Sequence, residues 1–351
     1  MKTHFWLRAE DHNNEHRSPI TPTEAAVLIQ AGAILTVEHS DQRAHRDADF
    51  AALGCTMVDA GTWMDAPKDT VILGLKELPV LDFPLIHRHI QFAHVFKGQA
   101  AAPQNLDRFK RGGGTLYDLE FLVDDDGRRV AAFGYWAGFA GAAIGLMAWI
   151  AQQRGETLGA VPSYPDQTTL VDELKSALGR IETRPDAIVI GALGRVGTGA
   201  GDLFSALDLV VTKWDVNETA NGGPFPQIAA HNIFLNCILA SPKTPLFFGK
   251  DDIAKPRRLG VIADIACDPN STYNPIPIYG DNTRFDAPII RVADAPALDV
   301  MAIDNLPSML PLESSADYAA QLLPVLLDFA DDNAGIWARA KAVFDTKIAE
   351  I

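Results

Sequence analysis

Two side chains in the first third of the chain could do acid–base chemistry on a small substrate. Lys76 follows the short apolar run 71–75, and His94 stands near the end of a second apolar run. Side chains just after parallel strands face the crevice in which α/β proteins bind ligands. On spacing alone the structural interpretation is favoured for both, since a lone lysine is usually a solvated charge and a lone histidine a satisfied core residue.

Other polar groups nearby suggest what such a site would hold. Arg17, Arg128, Arg129 and Lys97 are cations in otherwise uncharged or acidic stretches. The arginine fork matches a carboxylate bidentately, so these residues would suit a substrate with several carboxylates if they lined a cleft; ordinary surface charge is the alternative. The histidines 87, 89 and 94 lack a carboxylate or cysteine spaced to complete a metal site, so we predict structural histidines and no metal.

A glycine-rich turn predicts a nucleotide site in the second half of the chain. The apolar run 187–190 leads directly into Gly191, Gly194 and Gly197, and a helix is predicted from 198 to 207. Glycines let the backbone approach a pyrophosphate, which the helix N-terminus then binds. Asp215, eighteen positions beyond Gly197, suits a ribose hydroxyl and would repel the 2′-phosphate of NADP. The pattern favours NAD, with a plain structural turn as the alternative.

The elements that must position these residues alternate as strands and helices. Strands are predicted at 4–8, 33–38 and 70–74, and again at 186–191, 208–214, 231–237 and 259–264. A capping box at 21–24 with proline inside it opens a helix that stops at Gly32. Two helices split near 331–333 are predicted for 315–351. This alternation predicts an α/β protein with parallel sheets, and 351 residues favour two domains.

Composition narrows the class of partner. The 45 acidic residues outnumber the 30 basic ones, and a net charge of −15 disfavours nucleic-acid binding. Three scattered cysteines (55, 237 and 267) fit a reducing cytoplasm, and the N-terminus lacks a signal-peptide core. The uncharged segment 130–151 could span a bilayer, but we predict a buried helix packed between two domains. The expected partners are therefore small molecules, without nucleic acid or membrane, for a monomer or small homo-oligomer.

Nine segments, in order between about residues 6 and 344, resemble the lysine-forming saccharopine dehydrogenases. Their superfamily also includes alanine dehydrogenase, with the same two-domain plan. The resemblance is specific because the matches cover the lysine turn, the histidine strand and the glycine turn together. The segments are 7–10, 72–79, 89–99, 114–121, 127–134, 191–197, 213–215, 274–279 and 303–307.

The resemblance implies two Rossmann-like parallel-sheet domains flanking an interdomain cleft. The substrate (catalytic) domain would comprise residues 1–133 plus 322–351, and the NAD-binding domain residues 134–321, with an interdomain helix at its start. Lys76 and His94 would be the acid–base pair. Substrate contacts would come from Arg17, Lys76, Gln99, Arg129, Phe133 and Asp268. NAD contacts would come from Arg128, Gly191, Gly194, Arg195, Gly197, Asp215, Thr219, Ile265, Ile303, Asp304, Asn305 and Leu306.

The implied activity is the reversible, NAD-dependent conversion of saccharopine to L-lysine and 2-oxoglutarate. An alanine dehydrogenase-like or other opine-type amino-acid dehydrogenase is the alternative enzyme. A non-catalytic NAD-binding redox sensor is a further alternative, which the joint presence of Lys76, His94 and the arginines disfavours.

The sequence also departs from the family pattern in three places. Ala266 and Cys267 stand where serine and alanine are expected before Asp268, and Leu239 replaces an aromatic residue expected beside the cofactor. Val196 occupies a position that is cysteine in fungal members, so the resemblance implies that Cys237 has no disulfide partner.

Overall fold

The computed structural model describes residues 2–12, 15–79, 81–96, 102–329 and 335–351. The chain forms two compact units: Met1–Ala132 together with Pro311–Ile351, and Phe133–Leu310. The expected boundaries were 133/134 and 321/322. The second of these falls inside the helix Pro311–Leu327, which belongs as a whole to the first unit. A continuous helix is one rigid element, so the chain passes between the units before it begins.

The first unit is built on a six-stranded parallel sheet of order β3-β2-β1-β4-β5-β6. Most of its strand residues are buried, including polar ones such as His89 and Gln91. Parallel sheets are usually covered on both faces. Its N-terminal elements are β1 (His4–Leu7), α1 (Pro22–Gln30), β2 (Ile34–Glu38), α2 (Asp47–Ala51), β3 (Thr56–Val58), β4 (Val71–Leu73), β5 (Arg88–Gln91), α3 (Ala102–Gly112) and β6 (Thr115–Asp118), with a short 3-10 helix at Thr62–Asp65.

The second unit contains another six-stranded sheet, of order β11-β12-β10-β9-β7-β8, in which only β11 runs antiparallel to its neighbour. Its elements are α4 (Gly134–Gln153), α5 (Gln167–Leu178), β7 (Asp186–Ile190), α6 (Arg195–Ala206), β8 (Val210–Trp214), α7 (Val216–Thr219), α8 (Pro226–Ala229), β9 (Ile233–Asn236), α9 (Lys250–Ile253), β10 (Val261–Asp264), β11 (Ile290–Asp294), β12 (Ala297–Met301) and a 3-10 helix at Leu306–Met309.

Two C-terminal helices, α10 (Pro311–Leu327) and α11 (Gly335–Ala349), complete the first unit. The predicted split between them at 331–333 lies outside the described residues. The predicted α/β class with two parallel-sheet domains is confirmed. Several short strands were not predicted, among them β5 and β6, because polar residues such as Arg88 and Asp118 interrupt their apolar runs.

The uncharged segment 130–151 forms most of α4. By length and composition α4 could cross a membrane, but 78% of its most apolar window is buried inside the unit. Its glycines explain the close packing: a Cβ at Gly138 would overlap the Val196 carbonyl on α6, and a Cβ at Gly199 would overlap the Tyr135 carbonyl. The prediction of a buried helix is confirmed within the second unit.

The capping box that opens α1 is also present. Thr21 accepts the Thr23 N–H through its hydroxyl, and the Glu24 carboxylate accepts the Thr21 N–H, while Pro22 occupies the first helical position. Gly32 then ends the turn with a φ of 96°. These signals mark both ends of α1 locally, between β1 and β2.

Candidate active site

The strand order of each unit places a ligand crevice at one pair of loops. In the first unit, β2 and β3 lie on one side of β1, and β4, β5 and β6 lie on the other side. The strand order therefore reverses between β1 and β4, and the loops after these two strands flank that point. In the second unit the same point lies between β7 and β9. Ligands of open α/β sheets bind at such switch points, beyond the carboxyl ends of the strands.

The turn after β4 carries Lys76 to the switch point of the first unit. Leu75 before it is buried, while Lys76 and Glu77 are half-buried at the edge of the sheet. The N–H groups of Leu75 and Lys76 donate to the Glu10 carboxylate, 2.7 and 3.0 Å away. The lysine therefore stands on an anchored backbone at the place where a substrate would lie.

His94 reaches the same place from the loop after β5. Its backbone has a φ of 52°, in the left-handed region that non-glycine residues rarely adopt. Its Nδ1 lies 3.2 Å from Glu77 Oε2, and Nε2 of His12 lies 3.6 Å from the other oxygen of the same carboxylate. One carboxylate thus lies between two imidazoles.

The charges of this group shift one another's pKa values. The hydrogen bond to Glu77 raises the pKa of His94 against the opposing effect of partial burial. Burial alone would raise the pKa of Glu77, but the bond from His94 and the charges of His12 and His94 lower it to about 2. The structure therefore keeps Glu77 ionised and favours a protonated His94, as an acid–base site can use.

A buried carboxylate lies beneath the histidine. Asp118, at the end of β6, accepts the Ala93 N–H at 3.4 Å and the Glu120 N–H at 2.9 Å. Burial raises the pKa of Asp118 to about 6, despite these two hydrogen bonds. Because Ala93 directly precedes His94, Asp118 helps to hold the loop that presents the imidazole.

Arg17 lies near Lys76 but already holds a carboxylate. Its Nε and Nη2 donate to the two oxygens of Glu15 at 2.8 and 2.6 Å, and both side chains are buried. Burial would raise the pKa of Glu15, but the bonds and charge of Arg17, and more weakly the charge of Lys76, lower it. A substrate carboxylate would thus meet an arginine whose Nε and Nη2 already donate to Glu15.

The paired arginines 128 and 129 follow a tight hairpin rather than a strand end. Arg129 forms an isolated antiparallel bridge with Val123, and both arginines are exposed. Arg128 has an exposed ion pair with Asp126 at 3.5 Å. The buried Tyr318 of α10 lies within electrostatic range of Arg129, Arg17 and Asp118, so these groups gather in one region of the unit.

Three further residues were predicted to contact the substrate: Gln99, Phe133 and Asp268. Gln99 falls outside the described residues, as does Lys97. Phe133 precedes the first turn of α4, as its N-cap, in the second unit. Asp268 is exposed in the loop after β10, also in the second unit, where its carbonyl accepts the Ser271 N–H.

The glycine turn occupies the switch point of the second unit, directly after β7. Gly191 has a φ of 88°, and a Cβ there would lie 2.5 Å from Ile238 Cγ2 and 3.0 Å from the Cys237 carbonyl oxygen. A Cβ at Gly197 would overlap the carbonyl of Gly191. Gly194 is the N-cap of α6, so the helix begins beside glycine backbone that carries no side chains. Arg195, the first residue of α6, is exposed. This cradle fits a dinucleotide pyrophosphate.

The structure brings Asp215 to this turn, as a ribose contact requires. Its Oδ2 accepts the Leu193 N–H at 2.9 Å, and its Oδ1 accepts the Val216 N–H at 2.9 Å. The Thr219 hydroxyl donates to the Asp215 carbonyl at 3.0 Å. Asp215 and Thr219 therefore form one half-buried corner beside the glycines.

The other predicted cofactor contacts divide by exposure. Asp304 and Asn305 are exposed in the turn after β12. Ile303 and Leu306, on either side of them, are about 1% exposed, and Ile265 is also buried against α4. The side chains of these three apolar residues pack in the core, which leaves only their backbone groups for a ligand.

Two residues beside the cofactor turn were missed by the sequence analysis. Leu193 within the turn and Val216 after Asp215 expose 82% and 74% of their surface, and Leu239 after β9 exposes 84%. Exposed apolar side chains around a nucleotide cradle are what a flat base could cover. An apolar residue directly after the acidic one was the available signal for Val216.

His87, His89 and the three cysteines have contacts typical of structural residues. His87 bonds the Ala66 carbonyl oxygen, and His89 is fully buried between Trp63 and Phe109. Within the described residues no group of three His, Cys, Asp or Glu side chains could hold a metal. All three cysteines lie in the described ranges and are free thiols, so Cys237 is unpaired as the resemblance implied.

The chain resembles known proteins along nearly its whole length. Residues 6–140 match the family model described as alanine dehydrogenase/PNT, N-terminal domain. A Yarrowia lipolytica protein named saccharopine dehydrogenase [NAD(+), L-lysine-forming] is 47% identical over 98% of this chain and 97% of its own length. The Schizosaccharomyces pombe protein of the same name is 46% identical over 99% of both chains. This chain belongs to the NAD(+)-dependent, L-lysine-forming saccharopine dehydrogenase family.

Solved structures support the fold. An L-alanine dehydrogenase superposes with a TM-score of 0.65 at 15% identity, covering 98% of this chain and 94% of that one. A transhydrogenase from Sinorhizobium meliloti also gives 0.65, at 14% identity over 95% of this chain and 97% of that one. At this identity the likeness shows the fold alone. The predicted membership of the saccharopine dehydrogenase family is confirmed by the sequence relatives.

Proposed function

We propose that this chain catalyses the reversible NAD-dependent conversion of saccharopine to L-lysine and 2-oxoglutarate. The observation that carries the proposal is the near full-length similarity, at 43–47% identity, to six fungal proteins that bear this enzyme's name. The acid–base groups at the switch point of the first unit support an enzyme rather than a redox sensor. A sensor would need only the glycine turn and Asp215.

The second unit would hold the cofactor through the glycine turn and the Asp215–Thr219 corner. Bound NAD supplies the hydride acceptor that turns the secondary amine of saccharopine into an imine. The Asp215 carboxylate would accept from ribose hydroxyls and disfavour a 2′-phosphate, which selects NAD over NADP. Arg128, Arg195, Asp304 and Asn305 are the exposed polar groups assigned to it, together with the backbone of Ile265, Ile303 and Leu306.

Lys76 and His94 would move the protons. Hydrolysis of the imine requires a proton to leave the attacking water and another to reach the departing amine. Two titrating groups at one switch point suit these transfers, and positioned acid–base catalysis contributes about 10²–10⁴-fold. The raised pKa of His94 keeps it able to donate a proton, while Lys76 would act on the same substrate atoms from the facing turn.

Substrate carboxylates would be held by Arg17 and Arg129, with Gln99, Phe133 and Asp268 as further contacts. Saccharopine carries three carboxylates, whereas alanine carries one. A monoacid offers these guanidinium groups one carboxylate where saccharopine offers three, so a small monoacid should bind less tightly. The bond from Arg17 to Glu15 and the exposure of Arg129 support Arg129 as the stronger carboxylate contact.

The decisive experiment is an NADH oxidation assay with paired substrates. We expect turnover with 2-oxoglutarate plus lysine, and little or none with pyruvate plus ammonia. Robust amination of pyruvate that needs no lysine would identify an alanine dehydrogenase-like enzyme instead. Absence of turnover in a chain that still binds NADH would support the redox sensor.

We further propose that the protein acts in the cytoplasm, as a monomer or small homo-oligomer. The three free thiols support a reducing compartment.

A further inference from the structure

The segment Arg8–Glu10 directly follows β1, yet no part of the proposed chemistry uses it. Because β1 and β4 are adjacent parallel strands, with Leu7 beside Leu73, the chain leaving β1 runs alongside the turn that carries Lys76. The Arg8 N–H continues the ladder by donating to the Leu73 carbonyl at 3.0 Å. Arg8 and Glu10 both contact this lysine turn.

Glu10 holds the N–H side of that turn. Its Oε1 accepts the Leu75 N–H at 2.7 Å and its Oε2 accepts the Lys76 N–H at 3.0 Å. Only 6% of the Glu10 side chain is exposed. Two consecutive backbone donors on one buried carboxylate form a strong and directional anchor, since bonds to an ionised acceptor are about twice as strong as neutral ones.

Arg8 holds the carbonyl side. Its Nη2 donates to the Lys76 carbonyl and lies 3.3 Å from Glu10 Oε2, and its Nη1 donates to the Ala9 carbonyl at 3.2 Å. The side chain is fully buried. A Cβ at Gly74 would overlap the guanidinium, so the glycine of the turn makes room for it. Lys76 thus has both backbone polar groups bound by one ion pair.

We infer that Arg8 and Glu10 are positioning residues that clamp the backbone of Lys76 and so place its amine for proton transfer. The inference rests on the proposed function. A lysine side chain has four rotatable bonds, so the position of its amine depends on how firmly the protein fixes its backbone. Misplacement of a catalytic group by about 1 Å costs on the order of 10²-fold in rate, so a loosened turn should slow the chemistry.

A double-mutant cycle tests this role. Glu10→Ala should lower kcat for NADH oxidation with 2-oxoglutarate and lysine by about tenfold or more, while the KM for NADH changes little. In a Lys76→Met background the same substitution should change the residual kcat less than about twofold, because the clamp has no amine left to place. Glu10→Gln keeps one acceptor oxygen and should fall between, and it replaces the alanine variant in the cycle if that variant does not fold.

Glu24→Ala is the matched control. Glu24 is a buried carboxylate of the same unit that bonds the Thr21 backbone N–H in a helix cap. It should leave kcat within about twofold of the wild-type value. Equal losses from Glu10→Ala in both the wild-type and the Lys76→Met backgrounds would overturn the inference and leave the proposed function standing.

Amide hydrogen exchange tests the clamp without any assay of activity. In Glu10→Ala and Glu10→Gln, peptides that contain Leu75 and Lys76 should exchange about tenfold faster than in the wild type, and in Glu24→Ala they should not. Unchanged exchange in both Glu10 variants would overturn the clamp. A wild-type protein that lacks lysine-dependent turnover but shows this exchange pattern would refute the proposed function and retain the contact.

Discussion

The switch points of the two sheets differ in the side chains that line them. At the first switch point, ionised side chains hold one another: Glu77 with His94, and Glu15 with Arg17. At the second, the chain removes side chains, with Gly191 and Gly197 bare and one carboxylate, Asp215, at the corner. The parallel-sheet frame is shared, and the loops decide the chemistry.

The difference follows from which partner brings the charge. A dinucleotide carries its own phosphates, so a site for it needs backbone N–H groups and close approach. A substrate that must exchange protons needs titrating groups whose pKa values the protein sets, and these require charged neighbours. Substitutions at the switch point of the first unit should therefore change turnover. Substitutions at the switch point of the second unit should change cofactor binding.

The largest effect is expected at the proton-transfer groups. Lys76→Met and His94→Gln should each lower kcat by about 10²-fold or more, because neither replacement can carry the proton. NADH affinity, measured by fluorescence titration, should stay nearly intact. Near-normal turnover in both variants would mean that the proton-transfer groups lie elsewhere and would end the comparison.

The converse effect, weaker cofactor binding with little change in kcat, is expected at Gly191. Gly191→Ala should weaken NADH binding by about tenfold or more, since the new methyl group both strains a φ of 88° and displaces Ile238 or the Cys237 backbone. At saturating NADH, kcat should change only a few-fold. Gly155→Ala is the control, because Gly155 also has a positive φ of 71° but faces open space. Equal NADH affinities in the two variants would contradict a pyrophosphate cradle at this turn.

Neighbouring arginines sharpen the contrast further. Arg129→Ala should raise the KM for 2-oxoglutarate about tenfold, and Arg128→Ala should raise the KM for NADH by a similar or smaller factor. A bond to a charged group contributes about 1.5–3 kcal/mol, reduced here by exposure. Steady-state kinetics of both variants with both substrates measure this. The same change of KM in the two variants would show that the pair acts as general surface charge.

The smallest effect is a shift in pH dependence at the first edge. Glu77 raises the pKa of His94, so the imidazole stays protonated to higher pH than an isolated histidine. Glu77→Gln removes the negative charge, and the limb of the kcat profile that reports His94 should move to lower pH. NMR titration of the imidazole gives the same quantity directly, with Glu24→Gln as the control. A limb that stays in place would show that Glu77 does not set this pKa.

Local patterns were sufficient for the parts of the molecule that depend on local physics. The sequence predicted three such features: the Thr21–Glu24 capping box, the strand before Gly191 and the acidic residue after β8. Caps, tight turns and strand spacing depend on residues that are near one another in sequence. The polar strands β5 and β6 were not predicted, because their burial depends on neighbouring strands that are distant in sequence. Recognition of Lys76 and His94 needed the family resemblance, because their spacing alone favours ordinary lysine and histidine.

By itself the sequence determined the α/β class, the position of the glycine turn and the family, since each rests on the order of residues along the chain. Only the tertiary structure decided which charges meet. Glu77 lies seventeen positions from His94, and Glu10 lies sixty-six positions from Lys76, yet both pairs are in hydrogen-bond contact. Parallel strands bring distant segments to one edge of the sheet, so the partner of a charge is set by strand order and register. These are properties of the folded chain, and no local pattern contains them.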